Sequence, residues 1–390
     1  MKKQKLGLLP KVAISIALGI VCGLFFPGWA VRIFTTINGL FGNFLGFIIP
    51  LLILGLVAPG IAELGRGAGR LLLITVALAY GFTLFSGFFS YFGCNLIYPS
   101  LLQNAPSMTV ADTLTVASTA PFFEVAMPPL MGVMTALLLA FTLGLGMALI
   151  NGNTLRTMMD DFRDIINKVI TGVIIPVLPL FIFGIFLEMT FAGKVASVMG
   201  VFIKIIVVIF AMTVVLLLIQ FSVAGFVGKR NPFKLLKNML SAYVTALGTQ
   251  SSAATIPVTL AQTIKNKVPE QIAGFVIPLC ATIHLSGSTL KIVACTLAIV
   301  MTSHIDVSFA QYAGFICMLG IAMVAAPGVP GGAIMASIGI IQSMLGFNQE
   351  AIGLMIALYI AMDSFGTACN VTGDGAVAVI VDRIYKGKTM

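Results

Sequence analysis

Charge is scarce in this chain: Asp, Glu, Lys and Arg make up 9% of its 390 residues, against 59% apolar ones. An ordinary water-soluble core needs far less hydrocarbon. With a mean hydropathy of +1.09, the composition excludes that class and leaves a polytopic membrane protein. Paired thiols are missing too. The six cysteines (Cys22, Cys94, Cys280, Cys295, Cys317, Cys369) lie mostly inside apolar runs with no Cys-x-x-Cys spacing, which argues against a thiolate metal centre or a disulfide framework. The first apolar run lacks the small-residue cleavage site of a secretory leader, and further spans follow at once, so it reads as a span.

Lys and Arg are absent from Tyr98 to Pro128 and from Met301 to Val307. They gather instead before the first span (Lys2, Lys3, Lys5, Lys11), after the second (Arg66, Arg70), after the fourth (Arg156, Arg163, Lys168), after the sixth (Lys229, Arg230, Lys234, Lys237) and at the end of the chain (Arg383, Lys386, Lys388). That alternation is the positive-inside pattern, so the net charge of +9 reflects topology and not a nucleic-acid surface. It places both termini in the cytoplasm of a multi-pass cell-membrane protein.

Apolar runs suited to spanning helices lie near 8–27, 37–58, 70–97, 128–150, 166–192 and 197–227. Beyond Lys237 the runs are broken. Residues 240–264 are interrupted by Gly248 to Pro257, 271–300 by His284-Leu285-Ser286-Gly287-Ser288, and 308–345 by Ala326-Pro327-Gly328-Val329-Pro330-Gly331-Gly332; a last helix covers about 349–382. The order is broken hairpin, helix, broken hairpin, helix. Such breaks are tolerated only inside protein or beside a wet cavity. The charge pattern opens the first hairpin to the cytoplasm and the second to the outside. Paired interruptions of opposite entry point to an inverted repeat with a transport site at the midplane.

The last helix carries the clearest chemistry. Taking Asp363 as zero, at ~100° per residue Gly366 falls near ~300°, Thr367 near ~40°, Asn370 near ~340° and Asp374 near ~20°. Two carboxylates, an amide and a hydroxyl thus share one face over roughly 16 Å. Ionisable groups at membrane depth cost at least ~2.5–3.5 kcal/mol each and usually face a cavity.

At these residues the chain resembles the dicarboxylate/amino acid:cation symporter family, over nearly its whole length and most specifically after residue 240. Ser251 to Thr259 looks like the family's serine-rich first hairpin tip, Gly328-Val329-Pro330-Gly331-Gly332 like the second, and Asn370-Val371-Thr372-Gly373-Asp374 like the motif of the last helix. The resemblance implies an all-α fold of about eight spanning helices and two re-entrant hairpins. It also implies a homotrimer working as an elevator. Residues 1–69 and 98–192 would form the scaffold (helices 1–2 and 4–5), and 70–97 (helix 3) with 193–390 the transport domain.

By the same resemblance, Asp363 would hold the substrate α-ammonium, with Thr367 and Asn370 contacting its α-carboxylate and amino ends. Ser251, Ser252 and Val329 belong to the tips that close over the substrate, and Ser288 and Gly366 line it. Cys280, His284, Asn370 and Asp374 fall at the sodium positions, Asp374 through its side chain and Asn370 through its carbonyl. Sodium is the implied co-substrate, with no organic cofactor. Hard-cation chemistry agrees, since carboxylate and carbonyl oxygens suit sodium.

The departures bear on specificity. Acidic-substrate members have an arginine where this chain has Gly366, and without that fork a side-chain carboxylate loses its bidentate partner. The frame from Asp363 to Asn370 is nearer to serine/threonine-type members, favouring a small neutral amino acid. The family's Asn-Met-Asp-Gly-Thr is here His284-Leu285-Ser286-Gly287-Ser288, so Ser286 replaces an aspartate of another sodium site.

Two residues stay open. Lys291, seven positions after His284 and on nearly the same face, either pairs with Asp363 in the empty carrier, greets an anionic substrate, or is a structural or snorkelling lysine. In the second case a dicarboxylate or acidic amino acid becomes the substrate. His284 either carries a coupled proton or is a hydrogen-bonded structural histidine. Glu124 and Glu188 read as interfacial.

Other functions fit poorly. An aspartyl protease needs its carboxylates ~3 Å apart, whereas Asp363 and Asp374 are roughly 16 Å apart on one helix. No Gly-x-Ser-x-Gly surrounds Ser251 or Ser252, so no hydrolase is expected. A channel would not need paired amine and carboxylate partners. The expectation is a symporter, not an enzyme, importing an amino acid across the bilayer.

Overall fold

The structure, a computed structural model, describes residues 8–65, 70–103, 120–193, 195–324, 326 and 330–386. The regular secondary structure of the described residues is helical, with no strand among them. In chain order the helices are α1 (Leu8–Gly23), α2 (Gly28–Gly65), α3 (Arg70–Leu101), α4 (Val133–Leu149), α5 (Thr154–Val169), α6 (Ile175–Phe191), α7 (Val195–Gly228), α8 (Pro232–Thr249), α9 (Ser252–Lys265), α10 (Glu270–Ile283), α11 (Ser286–Thr302), α12 (Phe309–Val324), α13 (Gly332–Leu345), α14 (Gln349–Ala361) and α15 (Asp363–Lys386). Among the described residues six helical stretches are long and apolar enough to cross a membrane: Gly28–Ala62, Arg70–Leu101, Thr154–Phe191, Val198–Gly228, Glu270–Thr302 and Asp363–Tyr385. Shorter apolar helices are Pro10–Gly23, Thr135–Leu149, Phe309–Val324, Gly332–Leu345 and Gln349–Ala361.

Two expectations are corrected. The basic stretch after the fourth run is no loop: α5 continues through a π turn (Ile170–Ile174) into α6. It turns Met159 and Ile166 inward and pairs Arg163 with Asp160 at 3.1 Å on its outer side, an arrangement that suits a half-immersed helix. The last helix is also not continuous. It breaks at Met362 (φ −114°, ψ 10°), and α15 restarts on Asp363, a carboxylate in the first turn where the helix dipole favours it.

The other breaks fall where the sequence places them. Helix α8 ends on Gln250 in the left-handed region (φ 54°), and Ser251 caps α9 by accepting from the Ala254 amide at 3.3 Å. Helix α10 ends at His284 in extended conformation. Helix α13 starts after Gly331 at φ 76°, a turn that glycine makes without strain.

Helix α15 lies at the centre, packed by α7, α8, α9, α10 and α11. Helices α1, α2, α4, α5 and α6 pack largely on one another. The apolar window of α10–α11 is 100% buried and that of α15 94%, against 28% for α3. The polar residues of α11 and α15 therefore meet protein, not the outer surface, and that interior is where the site lies.

Candidate functional site

Asp363 sits where three elements meet. Its Oδ2 accepts from the Gly331 amide at 2.7 Å, at the start of α13, and its Oδ1 lies 3.5 Å from the Lys291 ammonium on α11. Two helix N-termini, those of α13 and α15, thus face one carboxylate, which adds favourable dipoles to the ion pair. Lys291 is 1% exposed and fully engaged: it donates to the Met362 carbonyl at 3.1 Å, inside the helix break, and lies 3.9 Å from the centre of the Tyr359 ring. Gly366 makes this possible, because a Cβ there would fall on the Lys291 ammonium and Cε.

The backbone of α11 is held on both sides of that lysine. From α3, Ser90 donates to the Leu290 carbonyl at 2.8 Å and Tyr98 to the Ala294 carbonyl at 3.2 Å. Between the breaks, α11 and α15 touch closely at Gly287, where a Cβ would meet Cys369 Cβ at 2.6 Å and the Gly366 carbonyl at 2.7 Å.

Asn370 does unexpected work here. Leu285, at the N-cap of α11, has no capping side chain; instead Asn370 Oδ1 accepts from the amides of Gly287 (2.7 Å) and Ser288 (3.3 Å), capping α11 from another helix. Its Nδ2 donates to the Ser288 hydroxyl at 3.0 Å, which also accepts from Tyr359 at 3.1 Å. Thr367 donates to the carbonyl of Asp363 at 3.0 Å.

A second buried contact with a carboxylate lies one helical stretch away. His284 Nδ1 is 2.8 Å from Asp374 Oδ1, and both side chains are closed to solvent. The imidazole packs against Gly373 beside the Gln220 carboxamide, whose Nε2 donates to Ser286 at 3.1 Å. His284 Nε2, Gln220 Oε1 and the Thr372 hydroxyl are buried without a hydrogen-bond partner. Among the described residues no three His, Cys, Asp or Glu side chains form a metal cage. The oxygens of Asp374 and of backbone carbonyls are what a sodium ion would use here. The buried Cys280 supplies a carbonyl, and it accepts from the His284 amide at 2.9 Å.

The structure thus brings together Asp363, Gly366, Lys291, Asn370 and Ser288 at one end of the stripe, and His284 and Asp374 at the other. Ser251 and Ser252 lie at the head of α9, which packs on α15. Val329 lies outside the described residues. Tyr359, Gln220 and the Gly331 amide are participants that the sequence reading did not single out. Lone polar residues in apolar helices have no periodic companion to mark them, although Gln220 inside a long apolar run was a readable signal.

The sequence matches the family described as sodium:dicarboxylate symporter family over residues 8–384. The serine/threonine transporter SstT of Acinetobacter baumannii (strain AYE) is 29% identical, covering 97% of both chains. SstT of Streptococcus suis (strain 05ZYH33) is 27% identical, over 85% of this chain and 94% of its own. Excitatory amino acid transporter 1 of Ambystoma tigrinum is 28% identical over 64% of this chain and 47% of its own.

Proposed function

This chain belongs to the sodium:dicarboxylate symporter family, and from that premise we propose that it imports a small neutral amino acid, of the serine or threonine kind, driven by a cation gradient. Proteins of the family and the relatives named above are membrane transporters, not enzymes. The observation that carries the amino acid reading is Asp363: a buried carboxylate at the junction of α11, α13 and α15, with a glycine, Gly366, one turn on. A free α-ammonium needs such an anion where water is excluded. The serine/threonine relatives, similar end to end, support the substrate size.

In this reading the α8–α9 and α12–α13 pairs are re-entrant hairpins, with Ser251, Ser252 and Val329 at their tips. Helix α3 with the chain from α7 onward moves as the transport domain against a trimeric scaffold of α1, α2, α4, α5 and α6, with both chain ends cytoplasmic. The mutual packing of the early helices, and of the later ones around α15, supports that division. Sodium, as co-substrate, is held by Asp374 with carbonyls of Asn370, Cys280 and His284. Each net positive charge carried inward gains ~2.3 kcal/mol per 100 mV, roughly 50-fold in accumulation.

Proteoliposomes holding the purified protein and offered a labelled panel of amino acids and dicarboxylates, under separate sodium and proton gradients, test the proposal. Uptake of serine, threonine or alanine under the sodium gradient is the expected result. Uptake of dicarboxylates alone, or under the proton gradient alone, overturns the substrate or the cation respectively. Asp374→Asn is expected to raise the half-saturating sodium concentration on the order of tenfold or more, since a neutral amide is a weaker hard-cation ligand. An unaltered sodium titration removes Asp374 from that role.

A further inference from the structure

We propose that an α-amino acid enters this carrier as a bridge between Lys291 and Asp363: the ion pair opens, the substrate ammonium takes Asp363, and the substrate carboxylate takes Lys291. The inference rests on the amino acid reading above and names the residue that reads the substrate's other end.

The argument begins with occupancy. Both oxygens of Asp363 are engaged, one by the Gly331 amide and one by Lys291. An incoming ammonium therefore competes with an ammonium already in place. Lys291 cannot simply be pushed aside, because a buried charge stripped of its partner is strongly destabilising. It needs a replacement anion, and a zwitterion brings one. Charge is conserved at each stage: the empty site holds one positive and one negative group, and the loaded site adds one of each.

Two neutral donors of the stripe are already engaged. Asn370 gives its oxygen to two amides of α11 and its nitrogen to Ser288, and Thr367 donates to the backbone of its own helix. Among the described residues, Lys291 is the cation that already lies beside Asp363 and can take the substrate carboxylate. The lysine is placed for the exchange. Its backbone is pinned by Ser90 and Tyr98, so the movement is confined to its side chain, and Gly366 leaves the space in which its end lies. Tyr359 faces the ammonium, providing a partner during the swing.

Specificity follows. An amine without a carboxylate leaves Lys291 unpaired, and a carboxylate without an amine leaves Asp363 unpaired. The test is thermal-shift titration of the purified carrier in lipid nanodiscs with the twenty proteinogenic amino acids, then with the methyl ester and the deaminated analogue of the tightest binder. Wild type should bind ester and deaminated analogue each on the order of 100-fold more weakly than the parent, as for losing one partner of a buried charge pair. In Lys291→Met the acid-over-ester preference should fall to within about threefold, while the penalty for the deaminated analogue persists.

A structural lysine gives a different result: the acid-over-ester ratio stays unchanged in Lys291→Met, and that overturns the proposal. If the variant does not fold, wild type alone decides, since an ester that binds within about threefold of the acid overturns the bridge. If wild type binds no amino acid at all, the amino acid reading itself falls, and this inference with it. That outcome is distinct from one in which the acid binds and the ester binds equally.

Discussion

Asp363→Asn is expected to lower α-amino acid uptake on the order of 100-fold or more, the largest loss of any single substitution in the chain. The carboxamide is nearly isosteric but carries no charge, so the substrate ammonium loses the anionic partner proposed for it in a buried region. The same change strands Lys291, 1% exposed, without its counter-ion, and removing one partner of a buried pair costs about 3–5 kcal/mol of stability. Loss of uptake alone therefore does not separate a binding defect from a folding defect. Asp363→Asn/Lys291→Met separates them. With both charges gone, thermal stability should return toward the wild-type value, because an apolar replacement of a buried pair is often neutral or stabilising, while uptake stays lost. Transport by Asp363→Asn at the wild-type rate would remove Asp363 from the substrate site.

That prediction rests on a part of the molecule that was readable in the sequence, and the reason is geometric. Asp363, Gly366, Thr367, Asn370 and Asp374 recur at helical spacing, so their common face follows from the chain alone. The breaks at Gln250, His284 and Gly331 were likewise visible, since polar and glycine runs interrupt otherwise apolar stretches. The break at Met362 was not, because Asp363, Gly366 and Thr367, which follow it, fit one continuous helical face. There the Met362 carbonyl, which accepts from the Phe365 and Gly366 amides at 3.1 and 3.2 Å, also takes the Lys291 ammonium, a partner 71 residues away in sequence, and such tertiary contacts leave no local signature.

Lys291 and His284 show the same limit from the other side. Their seven-residue separation puts them on nearly one face, but the pattern does not say which carboxylate each meets. The structure gives Lys291 to Asp363 and His284 to Asp374, so the two ends of the stripe are each closed by one basic residue of the α10–α11 segment. Asn370 was read for a substrate role by resemblance. In the structure its side chain caps α11, which depends on a helix end that lacks its own cap.

Gly366→Arg tests how positive charge reaches the site. From sequence alone, arginine at this position should favour acidic substrates by restoring a fork for a side-chain carboxylate. The structure changes the expected result. A Cβ on Gly366 falls on the end of the Lys291 side chain, so the single variant must displace that ammonium from Asp363, put a long side chain into a buried position and place two cations together. It should be destabilised by several degrees in Tm, and uptake of every amino acid should fall on the order of tenfold or more. Gly366→Arg/Lys291→Ala keeps the count of charges and moves the cation from α11 to α15. That double variant should regain thermal stability and gain competition by L-aspartate, with a half-inhibitory concentration lower by roughly 10–100-fold than in wild type. Normal serine uptake and stability in the single variant would mean that Lys291 does not fill this space. A stable double variant with flat aspartate competition would mean that residue 366 does not set the preference between acidic and neutral substrates. Together the two variants separate space from charge: the first asks whether glycine is needed to admit the lysine, the second whether the site distinguishes which helix supplies the cation.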